Sequence, residues 1–368
     1  MALRKIGTLL MVAYAPPPDL VPPDLVPPDL MPADPVVTDP VPADGLPPDG
    51  GPRMRAAAPL VTIVMATRNG ATYLPAQLAS IAAQTHRNWR LWVSDDGSTD
   101  ATLSILRNFA ASHRVTVVQG PCRGSSARNF LSLLCHPDLP PGIVALADQD
   151  DVWLEGKLAR ALRRMARRAR PPSDGSDPDH PMLYAAESML VDDRLAPLRF
   201  SRAAASQPSF ANALVQNLFG GHTTVLDAAA LALIRRAGQQ DEIAFHDWWI
   251  YQLVAGAGGT LLLDRSPMAL YRQHGRNALG GLNGMGGNAK RISMALRREF
   301  ARMIEAQAGA LWQVSHLLTP EARATLEEFR ASPGSGPARV AALRKLGIMR
   351  ASKAGTAAFM AAAFLGRV

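Results

Sequence analysis

From residue 60 onward apolar residues gather in short runs, and between the runs they recur at helical spacing. Residues 60–66, 90–94, 115–118 and 143–147 read as strands, each a mostly apolar run too short for a buried helix. Between them Leu74, Leu78 and Ile81 mark one face of a helix, and residues 102–111 and 125–134 read as two more helices. Strand and helix alternate, which predicts an α/β domain with a Rossmann-like, mostly parallel sheet and helices on both faces. Past residue 151 the alternation loosens. Residues 183–186 and 261–263 read as further strands, and residues 288–368 as mainly helices, broken near Ser332-Pro333-Gly334-Ser335-Gly336. The pattern therefore predicts an α/β domain over 59–280 and a C-terminal helical appendage over 281–368.

Residues 16–50 follow neither period. Asp19, Asp24, Asp29, Asp34, Asp39, Asp44 and Asp49 fall five residues apart, with a proline two positions before most of them. Such a repeat has too little apolar surface to pack, so residues 1–58 are expected to be an extended, disordered tail without catalytic role. Met54 offers a second start just ahead of the first core strand, which would make the repeat dispensable or upstream of the true start.

Composition narrows the picture. A 48% hydrophobic share over 368 residues supports one large or two modest domains with a proper core. No apolar run reaches the ~18 residues that a membrane-spanning helix requires. The first fifteen residues loosely imitate a secretory leader, but their apolar part is short, interrupted by Gly7 and followed by the proline repeat, so a cytoplasmic protein is expected. Cys122 and Cys135 form no CxxC or Cys/His cluster and read as reduced thiols, not as a disulfide or zinc framework. The net charge is +8 although the repeat is acidic, so the remainder favours anionic partners such as phosphorylated substrates or an anionic membrane surface. Basic residues are not interleaved with aromatics as in a nucleic-acid module, and no nucleic-acid partner is expected.

The chemistry lies where predicted strands end. Asp148-Gln149-Asp150-Asp151-Val152-Trp153 follows the strand at 143–147, and Asp95-Asp96-Gly97-Ser98-Thr99-Asp100 ends the strand at 90–94. Several carboxylates at one strand end are costly unless a cation sits among them. Hard oxygen ligands suit a divalent metal that shares a phosphate. Ligands of open α/β sheets bind outside the carboxyl ends of the strands. A metal-dependent nucleotide site follows. The alternatives are an acidic helix N-terminus at Asp148–Asp151 and an Asx turn at Asp96-Gly97.

Five motifs in order resemble the family 2 glycosyltransferases. They are Thr67-Arg68-Asn69-Gly70 with Tyr73-Leu74 and Gln77-Leu78; Asp95 to Asp100; Asp148 to Trp153 with Lys157-Leu158; His246-Asp247-Trp248-Trp249; and Tyr271-Arg272-Gln273-His274-Gly275-Arg276-Asn277. The last two are similar to a bacterial rhamnosyltransferase-like branch. The resemblance covers roughly residues 60 to 280. It implies a GT-A fold and an inverting transfer from a nucleotide-sugar donor, dTDP-L-rhamnose on branch resemblance alone. The implied acceptor is a saccharide or lipid-linked saccharide of a bacterial surface polysaccharide.

It also implies roles. Asp148 and Asp150 match the DxD pair of a divalent metal site, Mn²⁺ or Mg²⁺, with Asp150 expected to reach the metal and Asp148 to contact ribose or metal. His274 is implied as a third ligand or a diphosphate contact, and Arg272 as a diphosphate contact. Thr67, Asn69, Asp95 and Asp96 match nucleotide-binding positions, and Arg128 is expected to face the nucleotide. Asp247 is implied as general base. His246 stands where the family commonly has Glu and is a rival base. Trp248 and Trp249 are acceptor-stacking candidates, with core packing as the alternative. His222, in Gly220-Gly221-His222-Thr223, stands where the branch commonly has Cys and is an acceptor-side candidate. The basic stretch over 154–170, with Lys157, Arg160, Arg163, Arg164, Arg167, Arg168 and Arg170, reads as a solvated face or as docking to anionic lipid headgroups. A function of another class, a catalytically silent nucleotide-sugar-binding or scaffold protein, would be favoured by loss of Asp148, Asp150, Asp247 or His274, and all four are present.

Overall fold

The computed structural model describes residues 58–168, 180–201, 207–274 and 299–368. The pentapeptide repeat, Met54, Arg170 and the Gly275-Arg276-Asn277 end of the last motif lie outside the described residues.

Strands β1 (Val61–Thr67), β2 (Trp89–Asp95), β3 (Val115–Gln119) and β4 (Ile143–Ala147) are parallel, in the order β3-β2-β1-β4. Helices α1 (Leu74–Ala82), α2 (Thr102–Ala110) and α3 (Ser126–Leu134) connect them. The chain steps outward from β1 to β3 and returns to β4 on the other side of β1. That reversal opens a crevice beyond the carboxyl ends of β1 and β4. Register sets Thr67 opposite Asp95, and Met65 opposite Ala147. Asp95 and Asp148 therefore reach the crevice from either side of Thr67.

The sheet continues β4-β8-β6-β9-β5, with β7 on β6. These strands are β5 (Val152–Trp153), β6 (Met182–Val191), β7 (Pro197–Phe200), β8 (Val225–Leu226) and β9 (Thr260–Arg272). β6 and β9 are parallel, whereas β8 is antiparallel to both of its neighbours. The parallel character thus belongs to the first half, and the second half is mixed. β8 is a two-residue return after the turn Gly221–Thr223, and an antiparallel pairing needs no crossover helix.

Side chains alternate across the sheet. Val64, Val144 and Leu146 enter one core, and Ile63, Met65, Ala145 and Ala147 the other. The first core is covered by α3, α6 (Ala228–Ala237) and α7 (His246–Gly256). The second is closed by Leu74, Leu78 and Ile81 of α1, Leu106 of α2, and Leu158, Ala161 and Met165 of α4 (Lys157–Ala166).

The C-terminal helices are α8 (Glu299–Gln313), α9 (Pro320–Ala331), α10 (Gly336–Lys345) and α11 (Lys353–Phe364), numbered after the short α5 (Phe210–Ala213). Leu311, Leu326, Phe329, Leu343 and Phe359 join the same core as Trp248, Trp249 and Leu253 of α7. Thr319 N donates to the Gly256 carbonyl at 2.9 Å, and Asn212 Nδ2 to the Met349 carbonyl at 2.9 Å. A Cβ on Gly256 would lie 2.7 Å from Leu318 Cδ2, so the glycine lets these side chains pack close to α7. The region expected as an appendage shares its core with the sheet. Leu311→Ala, at a fully buried position, is expected to cost about 2–5 kcal/mol and to lower the melting temperature of one transition. Two separate calorimetric transitions would show that the helices fold apart from the sheet.

Candidate active site

The nucleotide side is built on the end of β1. Thr67 Oγ1 donates to Asp95 Oδ1 at 2.9 Å, and the other oxygen of that carboxylate accepts from Ser98 N at 2.8 Å. Asn69 has φ 48, and its Oδ1 accepts from Thr99 N at 2.8 Å. Asn is among the few residues that tolerate this left-handed region. Asp96 accepts from Arg123 N at 3.2 Å and Gly124 N at 2.7 Å, and Arg68 lies 3.8 Å away. Asp95 and Asp96 are 5% and 4% exposed. Both carboxylates are engaged by protein donors, so they hold the turn in shape. Arg128 differs from expectation. Its guanidinium donates twice to the Asp241 carbonyl, at 3.0 and 2.8 Å. The loop ahead of α7 offers that acceptor, and the side chain turns to it instead of to the Asp95–Asp96 turn.

The β4 side carries the acids. Gln149 closes a pair of hydrogen bonds with the Arg68 backbone, at 3.0 and 3.1 Å, tying this turn to β1. A Cβ on Gly70 would run into the Gln149 side-chain amide, so the glycine of the first motif leaves room for this tie. Asp150 Oδ2 meets His274 Nε2 at 2.8 Å, and His274 stacks on Tyr73 with ring centroids 4.8 Å apart. Arg272 Nε donates to the Asp150 carbonyl at 2.9 Å, and Arg272 N donates to Asp151 Oδ1 at 3.0 Å. The guanidinium also lies 4.6 Å from the Tyr73 ring centre. Arg272 thus braces the acidic turn from β9.

Asp148, Asp151 and His222 bring one potential ligand atom each within 4.8 Å of one another. They are the one such group among the described residues. Asp148, Asp150 and His274 do not converge as expected: Asp150 goes with His274, and Asp148 goes with Asp151 and His222. Contacts from distant elements separate them: His274, after β9, takes Asp150, and His222, before β8, lies by Asp148 and Asp151. Burial, then the charges of Asp150 and Asp247, push the Asp148 carboxyl up to about 7. Burial, then the charges of Asp150 and Asp148, raise Asp151 well above the usual carboxylate range. Asp151 is 0% exposed and its Oδ2 has no hydrogen-bond partner. A half-buried carboxylate, a buried one with an orphaned oxygen, and an imidazole make a donor set that fits a divalent cation. Burial and the nearby Lys157 hold His222 down to about 3, in the neutral, ligating form. A ring nitrogen of His222 bonds Ser188 Oγ at 3.0 Å and the ring stacks on Tyr271, with centroids 4.4 Å apart. His222, half-buried, therefore stands beside the acidic cluster.

Lys157, part of both the third motif and the basic stretch, is fully buried. Its Nζ donates to the His222 carbonyl at 2.8 Å and lies 3.1 Å from the centre of the Trp153 ring. Desolvation lowers its pKa well below the ordinary lysine value, opposed by the charges of Asp151 and Asp148. Lys157, Ala161 and Met165 fall four apart on the inward stripe of α4, a spacing that marks the lysine as core-facing. On the same helix Arg160 Nε bonds Asp264 at 2.7 Å and Arg164 lies 3.6 Å from it, leaving Arg163, Arg167 and Arg168 exposed.

Across the cluster, Asp247 sits in the first turn of α7. Its Oδ2 accepts from Gly221 N at 3.0 Å and its Oδ1 from Trp248 N at 2.8 Å. His246 is 7% exposed, stacks on Phe130 at 4.0 Å, and its Nε2 has no partner. Desolvation lowers its pKa, with the Asp247 charge opposing. A buried ring of this kind does not reach an acceptor, which leaves Asp247 as the base candidate. Trp248 and Trp249 are 3% and 0% exposed, and Trp248 Nε1 donates to the Ala213 carbonyl. The structure corrects the acceptor-platform expectation for both: two apolar rings on a helix between two layers lower their energy by packing in the core.

The strand-end acids and the braced turn lie beyond the carboxyl ends of β1 and β4, where the sequence places a nucleotide site. Residues 62–170 match the model of glycosyl transferase family 2. The chain is 27% identical over 257 residues to the dTDP-rhamnosyl transferase RfbG of Shigella flexneri, covering 67% of this chain and 84% of that protein. It is 28% identical over 108 residues to the UDP-Glc:alpha-D-GlcNAc-diphosphoundecaprenol beta-1,3-glucosyltransferase WfgD of Escherichia coli, covering 29% of this chain and 42% of that protein. Among solved structures, residues 1–349 of TarS from S. aureus align with TM-score 0.48 and 14% identity, over 74% of this chain and 87% of that chain. The family match over residues 62–170 and the similarity to RfbG support a family 2 glycosyltransferase.

Proposed function

We propose that this enzyme is an inverting, metal-dependent glycosyltransferase that moves L-rhamnose from dTDP-L-rhamnose to a saccharide or lipid-linked saccharide of a bacterial surface polysaccharide. The similarity to RfbG over 84% of that protein carries the choice of donor. The strand-end cluster facing Asp247 supports single in-line displacement, because a base and a leaving-group site on opposite sides are what inversion needs.

A divalent cation, Mn²⁺ or Mg²⁺, would be held by the cluster around Asp148, the residue common to the expected set with Asp150 and His274 and to the group with Asp151 and His222. Bound there, it would stabilise negative charge on the departing diphosphate. Thr67, Asn69, Asp95 and Asp96 shape the nucleotide end. Arg272 and His274 hold the acidic turn beside the diphosphate. Asp247 takes the proton of the acceptor hydroxyl as it attacks. Residues 59–280 carry this chemistry and 281–368 support it. No described helix is long and apolar enough to cross a membrane. The exposed arginines of α4 fit peripheral contact with an anionic inner membrane surface, where a lipid-linked acceptor would lie.

Donor hydrolysis and binding across UDP-, GDP- and dTDP-sugars, with Mn²⁺, Mg²⁺ or EDTA, test this. Metal-dependent turnover of dTDP-L-rhamnose is the expected result. Turnover of another donor alone would discard rhamnose and keep the transferase; unchanged turnover in EDTA would discard the metal.

A further inference from the structure

A line of buried amides runs from the C-terminal helices to the turn that carries Asp247. Ala244 N donates to Gln307 Oε1 of α8 at 3.2 Å. Gln307 Nε2 donates to Gln252 Oε1 of α7 at 3.3 Å, and Gln252 Nε2 donates to the Ala213 carbonyl of α5 at 3.1 Å. The same carbonyl accepts from Trp248 Nε1 at 2.6 Å. Gln307 and Gln252 are both 0% exposed. Ala244 and Trp248 flank Asp247 in sequence, and both are fastened to this one relay.

Two glutamines in an apolar core cost stability unless their amides are bonded. Leucine or methionine would fill the same space without that requirement. What the amides add is direction: each bond fixes one donor against one acceptor, which apolar contacts cannot do. The Gln307 carbonyl holds the backbone three residues before Asp247, and the shared Ala213 carbonyl holds the side chain one residue after it. A base must lie within hydrogen-bond reach of the acceptor hydroxyl, and a small misplacement costs rate.

We infer that Gln307, through Gln252 and Ala213, is a positioning residue that sets the location of Asp247, so that the C-terminal helices are part of the catalytic apparatus. This rests on the reading of Asp247 as the base.

The test uses the full chain and steady-state hydrolysis of dTDP-L-rhamnose, or of the sugar nucleotide that the donor panel selects. Gln307→Met keeps volume and removes both hydrogen bonds. It is expected to lower kcat at least about tenfold while the donor KM stays within about twofold. Leu311→Ala, one turn further along the same helix and outside the relay, is expected to melt lower and keep kcat. Should Gln307→Met not fold, Gln252→Met breaks the next link and is read in the same way. Wild-type kcat in the folded relay variant, or an equal loss of kcat in Leu311→Ala, overturns the inference. Wild-type kcat in Asp247→Asn would instead overturn the base assignment on which it rests.

Discussion

Asp247→Asn is expected to lower sugar transfer by about 10²–10⁴-fold, the contribution typical of a general base, and to leave donor affinity unchanged. The donor end is built from β1, β2 and β4, none of which Asp247 touches through the hydrogen bonds it makes. Both of its oxygens accept backbone N–H groups, from Gly221 and Trp248. Asparagine can accept only one of them, so the variant also turns an NH₂ toward a donor, at about 1–3 kcal/mol. Calorimetric donor binding together with turnover separates the two effects. Full turnover in Asp247→Asn, with turnover lost in His246→Phe, would transfer the role to His246. The burial of that imidazole against Phe130 opposes such an outcome.

Asp148→Asn is expected to abolish metal-dependent turnover without destabilising the protein. Asp148 belongs to both candidate ligand sets, so its loss removes a cation ligand whichever set operates. Losing stabilisation of the leaving group corresponds to about 10²–10³-fold in kcat. Stability should move the other way. Burial and the charges of Asp150 and Asp247 raise the Asp148 carboxyl to about 7, above its unfolded value. Between the unfolded value and about 7 the folded state binds the extra proton, so metal-free stability falls as pH rises through that window. Above it, the wild type carries an unfavourable buried charge that asparagine lacks. Melting in EDTA at pH 8 should therefore show the variant at least as stable as wild type. A lower melting temperature would mean that Asp148 is structural.

The alternation of strand and helix made the first half of the sheet legible, because register follows from hydrophobic runs whose period is local. The acidic strand ends were legible for the same reason: carboxylates after an apolar run have few explanations. Lys157 was read as surface because its neighbours Arg160, Arg163 and Arg164 are basic, and only the inward stripe of α4 separates it from them. The Trp248-Trp249 pair was ambiguous, since a stacking surface and a core surface are both aromatic.

What the sequence alone determined is the α/β class and the two acidic turns at the strand ends. Tertiary structure decided which carboxylates share a ligand set, that His222 joins Asp148 and Asp151, and that Arg128 turns to Asp241. It also decided that the C-terminal helices close the same core as the sheet. Those outcomes depend on contacts between residues far apart in the chain, such as Asp150 with His274 and Ala244 with Gln307, and no local period encodes such distances.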